Sequence, residues 1–273
     1  MIKLCDYILH RLLFLGGENM WTISEVKEEG KEILNTCFWP SVAVSFICSI
    51  FTGGSNIGSN SGLRSSKDDV SGLSGLQNSI HDLDINPAAI IAIVATVIGV
   101  LLIAVIISIA FKVFVSNIIE VGTNSYFLEA RKDSASPISL IFSMFKSGRY
   151  KNVCFSVFMK NLFVGLWSLL FFIPGIIKSY EYFMVEYILA ENPNMDYKRA
   201  LEISSLTTEG EKWQLFLLSL SFIGWFLLSV LSCFILWVVY VKPYINHTMA
   251  GAYLRLKEKA INSGIASAEE FVG

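Results

Sequence analysis

The stretch "AAIIAIVATVIGVLLIAVIISIAFKVFVS", residues 88–116, decides the fold class of this chain. A helix that crosses the hydrocarbon core of a bilayer needs about 20 mostly apolar residues. This run is longer than that and contains one charged residue, Lys112. A helix that is apolar on every side is buried either in a large protein core or in a membrane.

The composition of the whole chain decides between these two environments. Hydrophobic residues make up 53% of the 273 residues and charged residues only 16%, and the mean hydropathy is +0.57. Soluble domains carry about 25% charged residues, so this chain lacks the polar surface to face water all round. The formal net charge of −2 argues against nucleic acid as a partner. The composition predicts an all-α polytopic membrane protein whose main partner is the lipid bilayer.

Three further apolar stretches set the predicted number of spans. Residues 36–52 are long enough for one span, and residues 153–192 and 213–256 are each long enough for two. With residues 88–116 this gives six transmembrane helices in three hairpins, with four or five spans as the alternative. Pro174-Gly175 is predicted to be the outer turn of the second hairpin, because X-Pro resists helix and glycine tolerates positive φ.

Lysine and arginine predict the orientation, since these residues concentrate in cytoplasmic loops. Residues 53–87 are rich in Gly, Ser and Asp and contain only Arg64 and Lys67 as Lys or Arg, which indicates a flexible external loop. The basic residues flanking the other spans are predicted to be cytoplasmic: Arg131, Lys132, Lys146, Arg149, Lys151, Lys198, Arg199, Lys212, Arg255, Lys257 and Lys259. Both termini then lie in the cytoplasm, which requires an even number of spans.

The predicted domain organisation is simple. Residues 20–260 form a single integral membrane domain, and residues 261–273 form a C-terminal cytoplasmic tail. Residues 1–19 are interpreted as a start assigned too early or as a disordered tail, because codons for Gly16-Gly17-Glu18 can spell a ribosome-binding site before Met20.

A cytoplasmic amphipathic helix is predicted before each pair of spans. The first covers residues 22–35, where Thr22 and Glu25 form a capping box. The second and third lie within residues 136–152 and 195–213, the latter with Asp196 as N-cap. A surface helix followed by a hairpin of spans therefore occurs three times, as in other membrane proteins built from repeats.

The three returning helices align on a tyrosine near their inner end, where tyrosine suits the interfacial aromatic belt. The aligned tyrosines are Tyr126, Tyr187 and Tyr253, and six residues before them stand Glu120, Glu181 and His247. Ionisable groups in apolar surroundings are costly unless they face the interior and pair. We therefore predict one interior polar site with Lys112 or Lys242 as the partner of a glutamate; a chance alignment is the alternative.

Three blocks of sequence carry a family resemblance. Residues 166–193, "LWSLLFFIPGIIKSYEYFMVEYILAENP", are followed by "GEKWQLFLLSLSFIGW" at 210–225 and "VKPYINHTMAGAYLRL" at 241–256. They resemble the domain-of-unknown-function 975 family of integral membrane proteins of Gram-positive bacteria. The resemblance extends from Met20 to about Leu256, and it implies a membrane fold and a bacterial source but no chemistry.

Recognised catalytic motifs are absent from the sequence. It contains no GxSxG, HExxH or P-loop pattern, and no cofactor is predicted. Its three histidines are too dispersed for a metal site, and its five cysteines show no zinc or disulfide spacing. The sequence favours a non-enzymatic accessory or envelope-related protein of the plasma membrane, with a membrane-protein partner or a second copy as candidate partners. The alternative is a transporter using the buried Glu/His site, and a membrane enzyme acting on lipid headgroups is less favoured.

Overall fold

The computed structural model describes residues 21–52, 87–146, 148–232 and 234–273, and in these ranges the chain is helical, with turns and no strand. This confirms the all-α class; residues 1–19 and almost all of 53–87 lie outside the described residues. The α-helices are α1 (Ile23–Thr36), α2 (Phe38–Thr52), α3 (Pro87–Phe111), α4 (Asn117–Glu129), α5 (Tyr150–Leu170), α6 (Phe172–Glu181), α7 (Val185–Glu191), α8 (Tyr197–Thr207), α9 (Lys212–Leu220), α10 (Ile223–Leu231) and α11 (Lys242–Asn262). Two 3₁₀ helices (Ile138–Phe145 and Ala268–Phe271) and two π-helical turns (Lys112–Ser116 and Trp237–Val241) complete the helical elements of these ranges.

The chain forms two packing units, residues 57–112 and the remainder. Helix α3 belongs to the first unit, and its large apolar side chains, such as Leu101 and Ile106, are exposed. The other α-helices belong to the second unit, whose core includes Phe127 of α4, Ile188 of α7 and Tyr253 of α11. An exposed apolar surface of this kind is expected of a helix that faces lipid.

Three helical runs are long and apolar enough to cross a membrane: Val94–Glu129, Tyr150–Leu170 and Lys212–Leu231. A fourth is reached if α1 and α2, which meet at a bend of 102°, are counted as one span. The predicted number of six spans is not confirmed. The difference arises in the returning halves of the hairpins, because α6 ends at Glu181 before α7 begins, and the second half of α11 is rich in charged residues.

Helix α1 begins as the sequence predicts. Thr22 is the N-cap, its side chain accepts from the Glu25 amide, and the Glu25 side chain accepts from the Thr22 amide. The helix buries Gly30 against α11, where an added Cβ would lie 2.6 Å from the Thr248 hydroxyl and 3.0 Å from the Thr248 amide nitrogen. Glycine therefore allows α1 and α11 to approach to backbone contact.

The turn between α5 and α6 lies at Phe171, not at Pro174-Gly175. Phe171 has the extended φ of −154° and ψ of 137° that separates the two helices. Pro174 lies in the first turn of α6, where proline is tolerated because the amides of a first turn have no helical partner. An added Cβ at Gly175 would lie 2.1 Å from the Ser168 hydroxyl oxygen and 2.7 Å from the Ser168 Cα. Gly175 therefore permits close packing of the hairpin, and its role differs from the predicted one.

The C-terminal segment is folded against the rest of the second unit. Arg199 of α8 makes two contacts to the Glu270 carboxylate, Nε to Oε1 at 2.8 Å and Nη2 to Oε2 at 3.2 Å. Phe271 is buried, and the Lys257 ammonium lies 4.9 Å from the centre of its ring. Asn192 donates to the Glu270 carbonyl oxygen at 3.0 Å. Residues that the sequence marks only as a tail thus form a docked segment.

Docking of this segment should depend on pH through Glu270. The hydrogen bonds from the Arg199 guanidinium lower the pKa of the Glu270 carboxyl, so this contribution is present above the unfolded pKa of about 4.3 and is lost as pH falls through the lower folded pKa. We expect a spin label at position 272 to be immobile at pH 7 and to gain mobility below about pH 4. Glu270→Gln should give the mobile spectrum already at pH 7, whereas Glu202→Gln, which removes the other carboxylate bound to Arg199, should not. An immobile label at every pH in both variants would contradict this account.

Candidate functional site

Glu181 is the centre of a buried polar cluster. Its Oε1 lies 2.5 Å from the Lys178 ammonium and accepts from the Ser205 hydroxyl at 2.9 Å. Its Oε2 lies 2.7 Å from the ammonium of Lys212, the first residue of α9. The Glu181 side chain is 8% exposed, and its carboxylate has three donors from three helices. Charge-assisted hydrogen bonds of this kind are the strong ones in proteins.

The same cluster also satisfies the backbone where α6 ends. The Glu181 carbonyl oxygen accepts from the Ser204 hydroxyl at 2.7 Å and from the Thr208 hydroxyl at 3.1 Å. The Ser204 oxygen in turn accepts from the Met184 amide at 3.2 Å. These bonds replace helical hydrogen bonds that are lost between α6 and α7. Hydroxyl groups of neighbouring helices serve this purpose in interrupted membrane helices.

The two lysines bring one more positive charge than the carboxylate neutralises. Lys178 also lies over two aromatic rings, with its ammonium 5.7 Å from the Trp167 ring centre and 5.5 Å from the Tyr182 ring centre. Aromatic faces attract cations, so these rings help to hold Lys178 in place. A further charged residue of the apolar segment 171–193, Glu186, pairs with Lys160 of α5. The charged residues of this apolar segment are therefore paired within the protein.

His247 lies in a second buried polar cluster. Its Nε2 is 2.9 Å from the Ser41 hydroxyl and 3.6 Å from the Cys37 sulfur. Both partners lie where α1 bends into α2. The backbone carbonyl of His247 accepts from Arg131 at 2.8 Å, and Arg131 pairs with Glu29 at 2.6 Å. This cluster therefore joins α1, α2 and α11 to the end of α4.

The second ring nitrogen of His247 differs from the first in its hydrogen bonding. His247 Nδ1 is buried and has no hydrogen-bond partner among the described residues. An unsatisfied buried polar atom costs about 1–3 kcal/mol. The Ser41 hydroxyl and His247 Nε2 are as close to each other as a serine nucleophile and its general base are in a catalytic pair. Both side chains are fully enclosed, however, so the pair does not present a nucleophile to a substrate.

The three aligned tyrosines are buried in the protein. The rings of Tyr187 and Tyr253 are stacked with centres 5.0 Å apart, and the Tyr253 hydroxyl donates to Glu191 at 2.6 Å. Tyr126 packs edge-on against Phe127, with ring centres 5.3 Å apart. These rings belong to the core and do not form a lipid-facing belt, because contacts between helices enclose them.

The structure gives Glu181 and His247 different sets of partners. Glu181 contacts Lys178, Lys212 and Ser205, and His247 contacts Ser41 and Cys37. Glu120 is half-buried in α4, near enough to Tyr187 for its charge to act on that hydroxyl. A single interior site containing all three aligned residues stays a prediction.

The two predicted lysine partners have separate places. Lys242 is buried at the start of α11, and Lys112 begins the π-helical turn that follows α3. The carboxylate of Glu181 is bound by Lys178 and Lys212 rather than by Lys242. For Glu120, pairing with Lys112 or Lys242 stays a prediction.

Sequence reasoning missed the true partners of both clusters. Lys178 stands three residues before Glu181 on one helix, a spacing that brings side chains together, so that signal was present. Lys212 and Ser41 are distant in sequence from the groups they contact, and no local pattern marks them. Across the described ranges no group of three or more His, Cys, Asp and Glu side chains is placed to hold a metal ion.

Comparison with known proteins gives one match. No curated protein and no solved structure matches this chain. Residues 169–260 match the model of the family described as "Protein of unknown function (DUF975)". This range contains the whole of the second and third resemblance blocks and nearly all of the first. Over these residues, about a third of the chain, the protein is therefore similar to the domain-of-unknown-function 975 family.

Proposed function

We propose that this protein is a non-enzymatic accessory protein of the bacterial plasma membrane that acts in the cell envelope through partners. It crosses the bilayer six times in three hairpins, with both termini in the cytoplasm and residues 53–87 outside. In this arrangement one returning span is α6 with α7, interrupted at residues 182–184, and another is the π-helical turn Trp237–Val241, which continues directly into α11. Interrupted spans are tolerated where protein encloses the irregular backbone.

The observation that favours an accessory role is that the carboxylate and carbonyl oxygens of Glu181 accept hydrogen bonds from groups of the protein itself. A carboxylate that carries ions or protons must exchange its partners during each cycle. Glu181 instead has two lysines and a hydroxyl on its carboxylate and two further hydroxyls on its carbonyl oxygen. This arrangement is suited to fixing α6, α8 and α9 together. The cluster thus supports a structural role within residues 169–260.

A transporter is the second candidate, and His247 is the observation that favours it. Its buried Nδ1 has no partner among the described residues, and ionisable groups inside a membrane are usually functional. In this alternative, proton movement through the His247 cluster is coupled to transport of a substrate. The two proposals make opposite statements about a variant that keeps the fold but loses the imidazole.

His247→Gln separates the two proposals. Glutamine keeps a polar group that can bond to Ser41 but cannot exchange protons near neutral pH. For an accessory protein we expect the variant, at equal abundance, to restore the envelope-stress survival of a deletion strain as well as the wild type does. We also expect proteoliposomes of the wild type to show no proton flux above protein-free vesicles. Wild-type proton flux that His247→Gln abolishes without loss of folded protein would overturn the accessory proposal in favour of transport.

A further inference from the structure

The 3₁₀ helix Ile138–Phe145 is apolar both on the side that packs against the core and on a side that is exposed. Ile141 and Met144 are buried in the protein, whereas Phe142 and Phe145 are exposed by 46% and 38%. The rings of Phe142 and Phe145 have centres 6.4 Å apart, and that of Tyr150 follows 5.8 Å from Phe145. A row of three aromatic rings thus leads along the surface to the first residue of α5.

Three cations accompany this row. Lys146, Arg149 and Lys151 are exposed, and none of them takes part in an ion pair among the described residues. Most other basic side chains of the second unit are paired with an acid: Arg131, Lys132, Lys160, Lys178, Arg199, Lys212, Arg255, Lys257 and Lys259. Three cations without an acidic partner among the described residues therefore lie within six residues of sequence.

The position of these residues indicates which partner they suit. Helix α5, Tyr150–Leu170, is one of the candidate spans, so the cations stand at the end of a membrane-crossing helix. Tyrosine prefers the level of the lipid headgroups, and phenylalanine on a helix that lies in the interface is buried at the boundary between headgroups and acyl chains. Clusters of Lys and Arg next to a span are attracted to anionic lipids of the cytoplasmic leaflet. The rings and the cations of this surface therefore suit the same ligand, a lipid whose anionic headgroup lies above its acyl chains.

We propose that Phe142, Phe145, Lys146, Arg149, Tyr150 and Lys151, here called the basic aromatic surface, bind the headgroup of an anionic phospholipid. The three cations contact the phosphate, and the rings lie against the glycerol and upper acyl region. This inference rests on the membrane placement proposed above. It assigns to the chain a lipid preference that the accessory role by itself does not require.

Native mass spectrometry of the full-length protein in mild detergent tests the proposal, with equal amounts of phosphatidylglycerol and phosphatidylcholine of the same acyl chains. Each cation near an anionic surface accounts for roughly a fivefold gain in affinity. We expect the wild type to retain phosphatidylglycerol over phosphatidylcholine by about tenfold or more. The triple variant Lys146→Gln/Arg149→Gln/Lys151→Gln should lose this preference, and added salt should weaken it in the wild type.

A matched control is Lys31→Gln, which removes an exposed lysine of α1 that also lacks an ion pair among the described residues and does not belong to the 3₁₀ helix or to α5. This control should keep the wild-type preference. The proposal is overturned if the wild type shows no preference, if the triple variant keeps it, or if the control loses it equally. Protein that leaves the membrane fraction without detergent would instead contradict the membrane placement, so the two failures are distinguishable.

Discussion

Glu181→Gln should lower the apparent melting temperature of the detergent-solubilised protein by about 10 °C. The substitution leaves the ammonium groups of Lys178 and Lys212 beside each other without their carboxylate. Removing one partner of a buried ion pair costs about 3–5 kcal/mol. We expect the lower end of that range, because the two lysines are 26% and 21% exposed. The effect is measured by heating samples to a series of temperatures and determining by size-exclusion chromatography how much monodisperse protein remains.

Glu202→Gln is the matched control for this experiment. Glu202 also pairs with a basic residue three positions away, Arg199, but its side chain is 56% exposed. Exposed pairs contribute about 0–1 kcal/mol, so the control should melt within about 3 °C of the wild type. Adding Lys212→Met to Glu181→Gln should recover part of the loss, since it removes one unpaired charge. Equal melting of Glu181→Gln and Glu202→Gln would show that the cluster does not stabilise the fold.

Gly122→Ala should be at least as damaging, for a steric reason. A Cβ at Gly122 of α4 would lie 1.9 Å from the carbonyl oxygen of Ile141 and 2.7 Å from its carbonyl carbon. Backbone atoms cannot rotate out of the way as the end of a flexible side chain can. Helix α4 and the 3₁₀ helix Ile138–Phe145 must therefore move apart to accommodate the added methyl group. Overpacking typically costs about 1–3 kcal/mol, and contact with backbone places this case at or above the upper limit. We expect a large fall in the yield of folded protein.

Gly165→Ala provides the comparison within the same chain. Gly165 lies inside α5, and a Cβ there would meet no atom within 4 Å. Alanine is a better helix former than glycine by about 1 kcal/mol, so this variant should be produced and melt like the wild type or slightly better. A Gly122→Ala protein with the yield and melting temperature of Gly165→Ala would mean that α4 does not pack against Ile141 as described.

Features with local causes could be predicted from the sequence. The start of α1 depends on Thr22 and Glu25, three residues apart, and the capping box forms as predicted. The start of α8 depends on Asp196, whose side chain accepts from the Lys198 amide. In both cases a side chain satisfies an amide of its own helix, so a few neighbouring residues contain the whole explanation.

Features that depend on distant contacts could not be predicted in the same way. Pro174-Gly175 has the composition of a turn, yet the turn lies at Phe171 because α6 packs closely against Ser168 of α5. The apolar surroundings of Glu181 in the sequence indicate that its charge needs a partner. That Lys212 is this partner depends on the packing of α9 against α6 and cannot be read from the sequence spacing. Likewise, a chain pattern cannot show that Ser41 meets His247, since α2 and α11 lie at opposite ends of the described sequence.

The close packing of Gly30 against Thr248 has a consequence for the order of events during synthesis. Helix α1 is among the first parts of the second unit to leave the ribosome, but α11, which covers its buried side, is made almost last. Until then the side of α1 that carries Val26, Gly30 and Leu34 lacks the cover of α11. A chain cut short before α11 would keep that side open. Only a chain that includes α11 can therefore cover this side of the helix.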